Sequence, residues 1–259
     1  MDINISISQL NLEYFFLVLV RITSFVYIAP FYGQTNVPQR IKLGLSVFLS
    51  IIIFNLTNGQ VPEYDSVLEY AILVVKESVA GLLIGFSAYI SNTIILFAGR
   101  IIDTDIGLSM AQVFDPATRS QVTITGSFYQ YILMLIMIAS DMHIFLLNAI
   151  VDSFSLIPVG GIGVRMTMYS TFVGFLRDYF LIGFRIVLPV FTAILILNCA
   201  MGIMTKIATS IHMFSIGIQI KVLGGFAILF VTVGLLPSIA NFIFEEMQEM
   251  VISIMKDMT

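Results

Sequence analysis

The chain has 259 residues, 58% of them hydrophobic and 11% charged, with a mean hydropathy of +1.01; an average soluble domain carries roughly 25% charged residues. That composition excludes an ordinary soluble domain and points to a membrane-class, all-α protein. A net charge of −4 and a pI near 5.1 offer no basic stripe for a phosphate backbone, so no nucleic acid partner is expected.

The amino terminus, MDINISISQLNLEYFF, places acidic rather than basic residues before the first apolar run and shows no small-residue cleavage site. No removable signal peptide is expected, and the first run should stay in place as a helix. Apolar runs follow at residues 12–32, 41–56, 67–98, 122–151, 172–204 and 211–244. Each is near or above the ~17–20 residues that cross a bilayer, the second being short. About six long hydrophobic helical segments are therefore predicted, some of them folded into helical hairpins.

Kinks are expected in the third run at Lys76-Glu77, Gly81 and Gly85, and in the fifth at Arg177-Asp178, Arg185 and Pro189. The sixth should bend at Gly217, Lys221, Gly224-Gly225 and Pro237. Short connectors carry turn chemistry: 33–39 with Pro38, 57–65 with Asn58-Gly59 and Pro62, and 158–163 with three glycines. Arg40 and Lys42, against Glu63, Asp65 and Glu69, put the first connector on the cytoplasmic side. The tail, IFEEMQEMVISIMKDMT, spaces Glu245, Glu246 and Glu249 among Met and Ile as an amphipathic helix lying on a partner, or as a solvated helix end.

One stretch departs from this pattern. Residues 99–120, GRIIDTDIGLSMAQVFDPATRS, are polar and glycine-bearing between apolar runs. Broken backbone is tolerated at membrane depth only where protein or a water-filled cavity satisfies it, so this stretch is the first candidate for the working part. A break near Asp115-Pro116 gives a provisional division into halves, 1–116 and 117–259, within one integrated helical body.

Lys76, Glu77, Asp141, His143, Arg177, Asp178, Arg185 and Lys221 lie in or beside apolar runs, where each charge costs ~2.5–3.5 kcal/mol at a helix centre. Neighbours at i,i+1 point ~100° apart on a helix, so Lys76-Glu77 and Arg177-Asp178 must each find partners on another helix or subunit. A proton or ion relay is the functional alternative, whereas His143 reads as a structural histidine. Gly81 and Gly85 form a GxxxG pair suited to close helix packing. Fourteen Met with no Trp suits irregular protein-lined packing, and AT-rich codon usage is the alternative source of that bias, with no mechanism behind it.

Enzyme motifs are missing: there is no HExxH, no GxSxG and no GxxxxGK[ST], and only two His. Asp103 and Asp105 read as solvated-loop acids. Cys199, the one cysteine, reads as a small buried apolar side chain. No catalytic residue, metal or cofactor is expected.

Arg21, Pro30, Gly33, Pro38 and Lys42 are followed by Lys76-Glu77, Gly81, Gly85 and Phe86, then by Gly99, Asp103, Gly107, Met110, Asp115 and Pro116, and last by Ser153-Phe154, Pro158 and Gly160. Their order and spacing resemble the FliR/SctT family of type III export-gate proteins, flagellar and injectisome, and the resemblance runs from about residue 12 to 225. The chain departs from the family late, with TSIHMF at 209–214 where a PQxNxF segment is usual, and Gln219 where GFPxK carries proline.

The resemblance implies one such chain assembled with several FliP-like and several FliQ-like subunits into a helical cone, part of it above the bilayer plane and enclosed by the basal-body ring. A FliP-like first half and a FliQ-like second half, an FlhB-like export switch protein and unfolded flagellar export substrates are implied as well, in the bacterial inner membrane. It implies that Gly107, Met110, Phe114, Asp115 and Pro116 lie in or beside a loop plugging the closed channel. The residues alone favour an ordinary inter-helix loop tucked onto the helices for that stretch. They also leave open a secondary transporter or ion channel with Asp141, Arg185 and Lys221 at a midplane site.

Overall fold

The structure, a computed structural model, describes residues 9–57, 62, 64–109, 123–163, 165–207 and 213–259. Among them it contains helices and turns and no strand: α1 Gln9–Ile28, α2 Gln39–Leu56, α3 Val67–Ile106, α4 Ile124–Ala139 and α5 Met142–Leu156. Then come α6 Thr167–Ile207, α7 Met213–Thr232, a 3-10 turn Val233–Leu235, and α8 Leu236–Asp257. Four stretches are long and apolar enough to cross a membrane: Gln39–Leu56, Val67–Ile106, Thr167–Ile207 and Gly217–Asp257.

One expected kink position, Pro237, adjoins a helix break, and the other break falls elsewhere. The third and fifth runs are single uninterrupted helices of 40 and 41 residues. Pro189 sits inside α6 without ending it. The fourth run, in contrast, breaks at Ser140-Asp141, where Asp141 takes φ 56; Asp is one of the few residues that visits the left-handed region readily. The sixth run breaks only at the 3-10 turn before Pro237.

The chain forms two compact units, each drawn from separate stretches: Met1–Ser91, Asp141–Phe175 and Glu245–Thr259 in the first, Asn92–Ser140 and Leu176–Phe244 in the second. In the first unit α1 is the hub, with Leu17, Val18, Ile22, Phe25 and Val26 fully buried. Ala80, Ile84 and Ala88 of α3 and Leu146 and Ile150 of α5 complete that core, along with Met247, Val251 and Ile254 of the tail. So the amphipathic tail lies on its own chain: Ser91 Oγ donates to Met250 Sδ at 3.7 Å, and Thr171 Oγ1 donates to Asp257 at 2.6 Å. The second unit's core is made by Ile94, Ala98 and Ile102 of α3, Leu133 and Met137 of α4, and Ile182, Val190 and Ile194 of α6.

Burial on α2 is inverted relative to a soluble helix. Lys42, Ser46 and Ser50 face inward, and the two serines donate to the carbonyls of Lys42 and Ser46 at 2.8 and 2.6 Å. Ile41, Leu43, Val47, Phe48 and Ile51 are exposed. Such a face demands an apolar cover from outside the chain.

Candidate functional site

Two polar constellations are built into these apolar units. In the first, Gly81 and Gly85 of α3 lie against the α1 backbone. A Cβ on Gly81 would run into the carbonyl oxygen of Arg21, and one on Gly85 would stand 3.0 Å from that of Phe25. The helices meet backbone to backbone, and Ser24 and Ser78 share a hydrogen bond of 3.1 Å there. This approach puts the fully buried Arg21 beside the fully buried Glu77, Nε donating to Oε2 at 2.6 Å. Arg21 Nη1 donates to the carbonyls of Ser153 and Ile157 at 3.2 and 3.0 Å, and the guanidinium stacks 4.3 Å above the Phe154 ring. The other oxygen of Glu77 accepts from Gly160 N at 2.7 Å, while Lys76 reaches the Gly160 carbonyl at 3.4 Å. Gly160, at φ 78, is the left-handed residue of a turn closed by Gly161 N and Pro158 O at 2.9 Å. One ion pair thus ties α1, α3, α5 and the 158–161 turn.

A corner follows α1. A Cβ on Gly33 would stand 2.6 Å from the Tyr27 carbonyl oxygen, and the Gly33 carbonyl accepts from Lys42 Nζ at 2.9 Å. Tyr32 donates to the His143 carbonyl at 2.8 Å. Burial pushes the Tyr32 phenol up to about 12, so it stays a donor throughout the physiological range.

The second constellation closes around the polar middle stretch. Asp103 and Asp105 are not loop acids: α3 continues through both, and Asp103 is buried. Thr123 Oγ1 donates to Asp103 Oδ2 at 2.7 Å, Thr125 N donates to Oδ1 at 3.1 Å, and Gly126 N donates to Thr123 Oγ1 at 2.9 Å. Asp103 and Thr123 together cap α4, satisfying N–H groups that a buried helix start would leave orphaned. Gly99 permits this, since a Cβ there would overlap the Gly126 backbone. Gly107, at φ 94, then turns the chain out of α3. Met110, Phe114, Asp115 and Pro116 lie outside the described residues. Asp105 has one buried carboxylate oxygen without a partner among the described residues, and Lys221 of α7 acts on it electrostatically.

Arg177, Asp178 and Arg185 make no side-chain hydrogen bond or ion pair among the described residues. Arg177 and Arg185 are exposed along α6 with Val173, Phe180, Phe184 and Leu188, and Asp178 is half-buried. Cys199 is exposed on the same helix, which corrects its reading as buried. Arg185 lies beside Leu235 and Phe242, while Lys221 lies one turn from Gly225, which packs on Ile106. Among the described residues no group of three His, Cys, Asp or Glu is placed to hold a metal ion. The Arg21–Glu77 pair escaped local sequence reasoning, because 56 positions separate its members.

Comparison with known proteins places the chain in a family. The chain is 30% identical over 234 residues to the flagellar biosynthetic protein FliR of Bacillus subtilis, covering 89% of this chain and 90% of that one. It is 26% identical over 253 residues to FliR of Escherichia coli, covering 97% and 95%, and 26% identical over 216 residues to FliR of Aquifex aeolicus, covering 83% of each. The family described as bacterial export proteins, family 1, matches residues 12–247. From Arg21 and Gly33 through Asp103 to Gly160, the residues that build both constellations fall inside that match, and the chain belongs to this family of bacterial export proteins.

Proposed function

We propose that this chain is a non-enzymatic subunit of the flagellar protein export gate, seated in the bacterial inner membrane at the flagellar basal body. Its apolar helix faces are covered chiefly by FliP-like and FliQ-like subunits, and together they line the channel through which unfolded flagellar substrates leave the cell interior. On this reading its two halves, 1–116 and 117–259, are FliP-like and FliQ-like, and an FlhB-like protein docks on the assembly.

Family membership supports the export role, as do relatives named for flagellar biosynthesis. The observation that carries the assembly is how little of the apolar surface the chain covers itself. Only 22% of the Gln39–Leu56 span and 17% of the most apolar window in Gly217–Asp257 is buried. Phe48 is 62% exposed, Phe230 83% and Leu223 77%. The mass of the detergent-extracted complex tests this. One copy of this chain with several copies each of two other helical proteins is expected. A monomer or a symmetric homo-oligomer overturns the reading in favour of a transporter.

The polar middle stretch, with Gly107, Met110, Phe114, Asp115 and Pro116, is the plug of the closed channel. The Asp103 clasp on Thr123 and Thr125 supports this, because it anchors the chain on both sides of the stretch. Deleting residues 109–114 is expected to raise ion leak through the assembled complex. Unchanged conductance would remove the stretch from this role.

A further inference from the structure

Asp141 and His143 are not used by the export role, and they sit where the backbone is unusual. Among the described residues two that are not glycine hold positive φ, Asp141 at 56° and Phe31 at 73°. The fold of the first unit brings both to one place. The Phe31 ring centre stands 5.8 Å from that of His143, and Tyr32 donates to the His143 carbonyl at 2.8 Å.

Asp141 serves two helices at once. Ser140 is the C-cap of α4, its N–H donating to the Ile136 carbonyl at 2.8 Å, and Asp141 is the next residue out, which ends a helix by turning left-handed. Asp141 is also the N-cap of α5. An N-cap aspartate works from extended backbone, its carboxylate accepting from the N–H two or three residues on. One residue cannot hold both conformations, and here it holds the first. Its side chain is exposed and makes no capping bond, while its carbonyl accepts from Ile144 N at 2.9 Å and Phe145 N at 3.2 Å.

The corner after α1 holds this setting. Pro30-Phe31 turns the chain there, with Gly33 N donating to the Ala29 carbonyl at 2.8 Å and Lys42 Nζ donating to the Gly33 carbonyl at 2.9 Å. A positive φ directly after proline is where a turn ordinarily uses glycine. For phenylalanine it is an outlier that persists only where the surroundings over-determine it. Those surroundings are the Tyr32 ring, edge-on at 5.1 Å, and His143 in the first turn of α5. The strained corner and the unused cap are therefore kept by the same contacts.

We infer that Asp141 is a two-state joint between α4 and α5, held left-handed by the Phe31–Tyr32 corner. When the corner lets go of His143, Asp141 turns extended, its carboxylate caps α5, and Phe31 relaxes to ordinary backbone. The connector between α1 and α2 thereby sets the conformation of the α4–α5 break. The inference goes beyond the export-gate reading and does not depend on it.

Hydrogen exchange of the 142–145 amides, followed by mass spectrometry on the full chain in its detergent-extracted complex, tests the joint. Tyr32→Phe removes the tie and should slow that exchange roughly fivefold, the worth of the cap it releases. A tie that merely holds α5 in place gives the opposite sign. In an Asp141→Gly background, which favours left-handed backbone and has no carboxylate, Tyr32→Phe should instead speed exchange. Melting temperature is the second readout. With Tyr32 present, Asp141→Gly should melt above Asp141→Thr, because threonine caps well but resists positive φ. In the Tyr32→Phe background that order should reverse.

Faster exchange in Tyr32→Phe with Asp141 intact overturns the joint. So does one melting order for the Gly and Thr variants in both backgrounds, since uncoupled sites simply add. Subunit composition, which tests the export-gate reading, enters neither measurement, so failure of one is distinguishable from failure of the other.

Discussion

Truncating Glu77 to alanine is expected to destabilise the first unit by ~3–5 kcal/mol, because it strands a buried guanidinium rather than deleting a contact. Arg21 and Glu77 are both fully buried, and Arg21 Nη2 already lacks a partner among the described residues. Removing the carboxylate also orphans Gly160 N, which donates to it at 2.7 Å. An unmade buried hydrogen bond adds a penalty of ~1–3 kcal/mol. The double variant R21M/E77L should recover most of the loss, since a buried ion pair adds little over well-packed apolar side chains and mainly penalises being broken. Thermal unfolding of the detergent-solubilised chain reads both effects. A single variant as stable as wild type, or a double variant no better than the single, would show that the pair does not hold α1, α3 and the 158–161 turn together.

Much of the fold is written in the apolar runs, and the failures have local causes. α3 stays whole through Lys76-Glu77 because tertiary partners accept what the sequence alone makes costly. Glu77 has Arg21, and the α1 backbone packs into the notch at Gly81 and Gly85. The break at Asp141 was missed because residues on both sides are apolar and the one signal is a Ser-Asp pair. Asp103 was misread because the helix was ended at Gly99, although Ile102 and Ile106 continue the buried stripe of Ile95 and Ala98 at helical spacing. What no local pattern carries is pairing at a distance. Glu77 could be said to need a partner on another helix, but only the GxxxG notch and the 158–161 turn decide that it is Arg21.

Gly99→Val should disrupt the second unit by at least ~3 kcal/mol, toward the upper end of overpacking costs. The reason is the nature of the neighbour. The new Cβ would overlap the Cα and N of Gly126, which are backbone atoms and cannot rotate away as a side-chain tip can. α3 and α4 would have to separate, and Asp103 would then lose Thr123 Oγ1 and Thr125 N at once. Gly44→Ala and Gly202→Ala are the matched controls: nothing lies within 4 Å of either new Cβ. In helix interiors they should be neutral or stabilising by up to ~1 kcal/mol. Asp103→Asn separates packing from charge, since it keeps the shape of the clasp and weakens only its hydrogen bonds, and it should fall between the two. Thermal unfolding in detergent, with proteolysis of the 107–122 stretch as a second readout, gives the order: glycine controls above Asp103→Asn, and Asp103→Asn above Gly99→Val. If Gly99→Val unfolds with the controls, the α3–α4 contact is not what holds the polar stretch in register, and the capping role of Asp103 falls with it.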